Sequence, residues 1–366
     1  MRLLVALLLV LHVAPLTADE PSPDYPDHAR LLVYRDQQGQ EHAVKTPADW
    51  AIRRRHILAG ACEAMGPLPD LSNSPPLDVQ VKGEPYQGDG YQRLTISYVS
   101  EPGDRTPAYL YVPDNRPAGT RSPAMLALHP TSPLGKGVVD GQGPRANRGY
   151  AVELAQRGYV VLAPDYLSFG DYKDYDFGSD RYVSGTMKGI VNHIRGVDLL
   201  CQRDDVDPQK IGAMGHSLGG HNAIFVGVFD ERVKAVVSSC GWTPFHDYYG
   251  GKIAGWTSDR YMPLLRDKYS LDPNRVPFDF YELIAALAPR AFFSVSPEKD
   301  SNFDVAGVRK AIPAAHQVYD LLGASDRLQV RYPDCEHDFP TAMRRESYEF
   351  VDRLFTHKPT RDVPEL

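Results

Sequence analysis

Cysteine is scarce in this 366-residue sequence, with only Cys62, Cys201, Cys240 and Cys335, and no two of them stand in a CxxC spacing. The spacing expected of a zinc site or a dithiol redox centre is therefore missing. The 12 histidines form no HxH or HxxxH pattern, so they offer no metal-ligand pair either, and no metal or cofactor is expected. Basic residues are outnumbered, 40 Lys and Arg against 47 Asp and Glu, and they gather in no stripe. Nucleic acid and anionic membrane surfaces are excluded as natural partners. No apolar run reaches the length of about 20 residues needed to span a bilayer. Repeats, heptads and low-complexity tracts are also missing.

What is present begins with a leader. Met1-Arg2 is followed by the apolar stretch Leu3–Val13, broken only by His12, then by Pro15 and Leu16-Thr17-Ala18. This reads as a signal peptide over 1–18, with a mature start near Asp19 and a secreted or periplasmic location. A retained anchor is the alternative, but no stable membrane anchor is expected. In an oxidising compartment four cysteines allow three pairings, and the sequence selects none.

With 42% hydrophobic residues the chain can bury a large core. Residues 19–78 read as an N-terminal extension, mobile over 19–30 and helical from about Trp50 to Met65 after Thr46-Pro47. The pattern then alternates, most clearly at Leu94–Val99 and Ala108–Val112, as in an antiparallel edge pair. Beyond that, apolar runs (Ala124–Leu128, Val160–Ala163, Ile211–Met214, Val233–Val237, Ala291–Val295, Leu328–Tyr332) alternate with helix-like stretches at 146–157, 186–202, 218–229, 279–287, 305–322 and 341–355. Short buried strands separated by helices predict a mainly parallel sheet covered on both faces, over 79–366. Residues 241–278 interrupt this rhythm and hold two of the three Trp. An insertion this long predicts a lid or binding loop, against the plainer alternative of a surface excursion packed on itself.

The central signal is Gly215-His216-Ser217-Leu218-Gly219-Gly220, between a short strand ending at Met214 and a helix starting near Asn222. A serine that attacks a carbonyl must stand clear of the backbone on a tight strand-to-helix turn, and small neighbours relieve the crowding. Its hydroxyl needs a base. His337, in the loop after the last strand, is the candidate; His316 falls within a helix and His357 in the polar tail. The base needs an acid, and Asp300, just past strand Ala291–Val295, is preferred over Asp304 and Glu298. The order Ser217, Asp300, His337 is that of an α/β-hydrolase fold. Two amides should hold the oxyanion, those of Leu218 and Thr131, because Pro130 has no N–H. His129, Tyr166, His216, Trp242 and Tyr248 are the candidates for contact with substrate.

Over residues 90–356 the sequence resembles the dienelactone-hydrolase and acetyl-xylan-esterase-like branch of the α/β-hydrolase superfamily. The resemblance rests on His129-Pro130, the run Gly158–Tyr166 followed by Ser168–Tyr172, Gly215–Gly220 and Glu336-His337-Asp338-Phe339. Met65-Gly66-Pro67-Leu68-Pro69 is similar to a segment of exported bacterial members. It implies an α/β-hydrolase fold, ester cleavage and the triad roles given above. Two departures stand out: dienelactone hydrolases proper use a cysteine nucleophile, and glucuronoyl-esterase relatives place an Arg where Leu218 stands. The expected activity is therefore that of an exported serine esterase acting on a small-molecule or polysaccharide ester, with deacetylation of a polysaccharide as one form. A prolyl-oligopeptidase-type peptidase and a non-catalytic scaffold remain as alternatives. The first lacks room for a propeller, and the second should have lost part of the triad.

Overall fold

The computed structural model describes residues 23–114, 119–179 and 181–362. The leader expected over 1–18 lies outside them. Among the described residues no helix is long and apolar enough to cross a membrane.

A small antiparallel hairpin, β1 (Val33–Arg35) and β2 (Glu41–Ala43), precedes helix α1 (Pro47–Met65). The helix begins three residues earlier than predicted because Thr46 caps it. The Thr46 side chain accepts from Asp49 N–H, the Asp49 carboxylate accepts from Thr46 N–H, and Pro47 fills the first turn. The short strands β3 (Gln80–Val81) and β4 (Tyr86–Gln87) then pair with β5 (Tyr91–Glu101), which forms a long hairpin with β6 (Asp104–Pro113).

The parallel part follows in alternation. Strands β7 (Ser122–Leu128), β8 (Val160–Pro164), β9 (Val206–His216), β10 (Val233–Ser239), β11 (Ala291–Val295) and β12 (Leu328–Arg331) are connected through α2 (Tyr150–Gln156), α3 (Gly185–Cys201), α4 (Leu218–Phe229), α5 (Leu264–Asp267), α6 (Phe280–Ala286) and α7 (Val305–Leu321), and α8 (Thr341–Phe355) closes the fold. The sheet order is β12-β11-β10-β9-β7-β8-β6-β5-β3, with β6 antiparallel to β8. Every residue of β7 and β8 is buried, as a strand covered on both faces requires. One face packs on α1, α3, α4, α6 and α7, the other on α2 and α8. The architecture is the α/β-hydrolase fold. Its parallel strands all end at one edge, and the loops there carry Ser217, Asp300 and His337.

Two expectations need correction. The segment from residue 23 is docked, not mobile: Tyr25 hydroxyl meets His56 Nδ1 at 2.9 Å, and Leu31 is buried. The apolar content of that short segment is low, so composition concealed its docking. The insertion over 241–278, expected as a lid or binding loop, packs onto the body of the fold. It folds into one-turn helices at Tyr248–Gly250, Ile253–Trp256 and Pro273–Arg275 together with α5, and it buries Trp242, Phe245, Ile253, Trp256, Met262 and Leu265 in the main core.

A buried ionic knot ties the N-terminal segment to the base of the insertion. Arg53 of α1 pairs with Glu282 of α6, and His28 Nδ1 lies 2.9 Å from the same carboxylate. Asp279 caps α6 and accepts the Phe245 N–H at 3.0 Å. Burial disfavours the His28 imidazolium, but Glu282 outweighs it and lifts the ring to about 9. Burial raises the Asp279 carboxyl to about 7 against the pull of His28. Both folded values lie above their unfolded ones, so each group stabilises the fold at low pH. That contribution fades as pH rises, for Asp279 from the ordinary carboxylate range to about 7, and for His28 from about 6.5 to about 9. Unfolding free energy should therefore fall between pH 6.5 and 9.5 in a urea titration series, and His28→Gln should flatten that fall. An unchanged slope in the variant would remove His28 from the account.

Candidate active site

Ser217 stands between β9 and α4 with φ 54° and ψ −118°, a backbone conformation that costs a non-glycine residue about 1–3 kcal/mol. The turn closes only because its neighbours are small. A Cβ on Gly215 would meet Gly219 O at 2.2 Å, and one on Gly219 would meet Leu128 O at 1.9 Å. The second contact seats the N-terminus of α4 directly on the end of β7, beside the loop that starts at His129. Gly220 and His221 N–H groups both return to Ser217 O, at 2.8 and 3.2 Å. As first residue of α4, Leu218 directs its amide out of the helix start with no intrahelical acceptor.

His337 comes from the loop between β12 and α8, and Asp300 from the loop after β11. Nδ1 of His337 lies 2.9 Å from Asp300 Oδ2 and 3.0 Å from Oδ1, so Nδ1–H donates to the carboxylate and Nε2 is left as the basic nitrogen. Burial resists ionisation of Asp300. The His337 imidazole and the N–H groups of Asn302 (2.8 Å) and Phe303 (3.1 Å) outweigh it, holding the carboxyl below its ordinary value. The other two acids are engaged elsewhere: Asp304 caps α7 through Ala306 N–H, and Glu298 pairs with Arg309.

Several groups around this pair could not be named from sequence. Phe303 stacks on the His337 ring at 6.0 Å. The buried Cys240 thiol donates to Asp338 O at 3.2 Å, and its sulfur lies within 4.8 Å of ligand atoms of both Asp300 and His337. Burial, reinforced by the charge of Asp300, pushes this thiol well up, so it stays protonated. Asp338 is clamped by Arg148 at 2.6 Å and by the Asn147 side chain at 2.8 Å. Nothing in the sequence points from Asp338 to an arginine 190 residues away.

The expected substrate contacts fare differently. Trp242 is 1% exposed and donates its indole N–H to Ser294 Oγ at 3.0 Å. Tyr248 is buried against Trp256 and Phe303. Both serve packing beneath the insertion. His216 is buried between Ser239 Oγ (3.1 Å) and the His337 ring (4.9 Å), and burial together with Arg148 keeps it neutral. His129 accepts Tyr166 N–H at Nε2 (2.9 Å) and donates from Nδ1 to Pro130 O (2.8 Å), so neither ring nitrogen is left for a ligand. Tyr166 is buried and donates its hydroxyl to Arg260 O at 2.7 Å. All five residues are buried. Leu218 packs in a separate cluster with Tyr166, Phe169 and Tyr172, bordered by the half-buried Tyr261. Tyr261 in turn contacts His221, one turn past the nucleophile.

A concavity of about 470 Å³ lies away from this centre, at the β5–β6 turn. Of its acidic lining, Glu101 and Asp104 are paired with Lys188, and Asp171 with Lys136.

The chain has the α/β-hydrolase fold and is a serine carboxylic-ester hydrolase. Residues 187–323 match the family model described as "Glucuronyl esterase, fungi". The chain is 26% identical to the putative hydrolase YtaP of Bacillus subtilis, over 68% of this chain and 84% of that one. It is 25% identical to 4-O-methyl-glucuronoyl methylesterase 1 of Wolfiporia cocos, over 85% and 78%. Among solved structures, a glucuronoyl esterase from Solibacter usitatus superposes with a TM-score of 0.65 at 20% identity, covering 90% of this chain and 98% of that one. A putative acetyl xylan esterase from Bacteroides fragilis gives 0.57 at 17% identity, over 85% and 86%.

Proposed function

We propose that this protein is an exported carbohydrate esterase in which Ser217, His337 and Asp300 form the catalytic triad. The observation that carries the reading is the Asp300–His337 hydrogen bond presented at the same sheet edge as the strained Ser217 turn. In the reaction, Ser217 Oγ attacks the ester carbonyl while His337 Nε2 takes its proton. The tetrahedral oxyanion is received by the Leu218 and Thr131 amides. His337 then passes the proton to the departing alcohol, which leaves an acyl-serine. A water, deprotonated by the same nitrogen, attacks the acyl carbon, and collapse returns the free acid and Ser217. Asp300 holds the imidazole tautomer and stabilises its transient charge throughout.

Three of the proteins named above are a 4-O-methyl-glucuronoyl methylesterase, a glucuronoyl esterase and a putative acetyl xylan esterase, which supports a saccharide ester here. Two ester types fit: the methyl ester of a glucuronate, and the acetyl ester of a xylo-oligosaccharide. The test is to incubate the protein with each, alongside p-nitrophenyl acetate, and to follow methanol and acetate release. Release from at least one saccharide ester at a rate exceeding that with p-nitrophenyl acetate is the expected result. Turnover of p-nitrophenyl acetate alone would retain the triad and reject the carbohydrate assignment. Cleavage of a prolyl peptide instead would favour the peptidase reading.

A further inference from the structure

The loop after β7 is held by an unusually complete buried device. Lys136 is 2% exposed and Asp165 is 1% exposed, and their side chains meet at 2.5 Å. Asp165 accepts two donors beyond the ion pair itself. Its Oδ1 takes the Lys136 N–H at 2.7 Å and its Oδ2 takes the Asp171 N–H at 2.9 Å, while Lys136 Nζ also reaches Asp171 at 2.7 Å. Burial opposes the charge on Lys136, and Asp165 with Asp171 more than restores it.

The backbone is shaped around this carboxylate. Gly135 and Gly170 both adopt left-handed conformations, with φ 51° and 55°, and a Cβ on either would fall 2.1–2.2 Å from Asp165 Oδ1. The same two loops are stitched again by Gly170 N–H to Pro133 O (3.2 Å) and by Tyr166 N–H to His129 Nε2 (2.9 Å). On its other side the loop abuts α4 through the Gly219–Leu128 contact. Thr131 therefore sits on a loop fixed from both flanks, next to the helix start that carries Leu218. Burying two charges is seldom a gain over an apolar pair of the same volume, so packing alone does not account for this arrangement. Orienting backbone does.

We infer that Lys136 and Asp165 are positioning residues for the oxyanion loop: they set the Thr131 amide, and with it the strength of binding to the tetrahedral intermediate, without touching substrate. This rests on the triad reading given above. The consequence is selective, because ground-state binding does not use the oxyanion donors fully, whereas the tetrahedral state does.

The test compares Lys136→Met with the charge-neutral pair Lys136→Met/Asp165→Asn, which keeps an acceptor for one of the two amides and leaves no unpaired buried charge. Thermal midpoint, kcat and KM for p-nitrophenyl acetate are measured with the inhibition constant of phenylboronic acid. The boron of that probe bonds to the Ser217 oxygen and becomes tetrahedral. In the folded variant kcat should fall roughly 30-fold and the boronate constant should rise in step, with KM within about threefold. A cooperatively folded pair variant whose kcat and boronate constant stay within twofold of the parent would overturn the inference. Activity surviving in Ser217→Ala would instead sink the triad reading itself, whatever the pair variant does.

Discussion

Ser217→Ala should reduce ester hydrolysis by about 10⁴-fold or more and leave the fold intact. The size follows from chemistry: no other nucleophile stands at the turn, and the Cys240 thiol beside Asp300 is buried and protonated. The intact fold follows from the backbone. Alanine meets the same left-handed penalty at φ 54° as serine does, and the Ser217 side chain makes no capping hydrogen bond to α4. The measurement is p-nitrophenyl acetate turnover with a thermal melt on the same sample. Loss of activity with a midpoint shifted by less than about 2 °C is expected. Near-parental turnover would move the nucleophile elsewhere.

Gly219→Ala should be as damaging by a different route. Its new methyl group would lie 1.9 Å from Leu128 O and 3.0 Å from His129 O, backbone atoms at the end of a strand buried on each face and at the start of the loop that follows it. Neither can swing aside as a side chain can. Helix α4 must lift from β7, which carries Leu218 away from the loop holding Thr131. We expect a loss of about 3 kcal/mol or more in urea unfolding and at least a 100-fold fall in kcat. Gly178→Ala is the control, since its Cβ would meet nothing closer than Asp176 Oδ1 at 3.3 Å. Equal stability of the two variants would mean that the elbow tolerates side chains the geometry forbids.

The parts of this protein that announce themselves in sequence are those governed by local rules. Buried parallel strands need unbroken apolar runs, so Ala124–Leu128 and Val160–Ala163 read correctly. The crowding at Ser217 needs glycine on both sides, and those glycines are visible. Long-range polar pairing leaves no such trace. Arg148 finds Asp338 across 190 residues, and Lys136 finds Asp165 across 29, with nothing in the intervening chain to mark either. The aromatic residues of the insertion misled for a related reason. Trp242 and Tyr248 in a long loop suggest a sugar platform, but composition cannot tell a ring that faces solvent from one that faces Ser294 or Phe303. His129 and His216 show the same ambiguity, because histidine in a site loop can serve substrate or scaffold. Only the direction of its two nitrogens decides.

The knot between Arg53 and Glu282 has a consequence for descent. The two positions lie 229 residues apart, yet Glu282 cannot be discarded alone without stranding the Arg53 charge in the interior, at about 3–5 kcal/mol. A lineage that exchanged Glu282 for an apolar residue would be driven to replace Arg53 as well, and His28 would then be released from its partner. The three positions should therefore be inherited as a set, changing together or not at all across related genes.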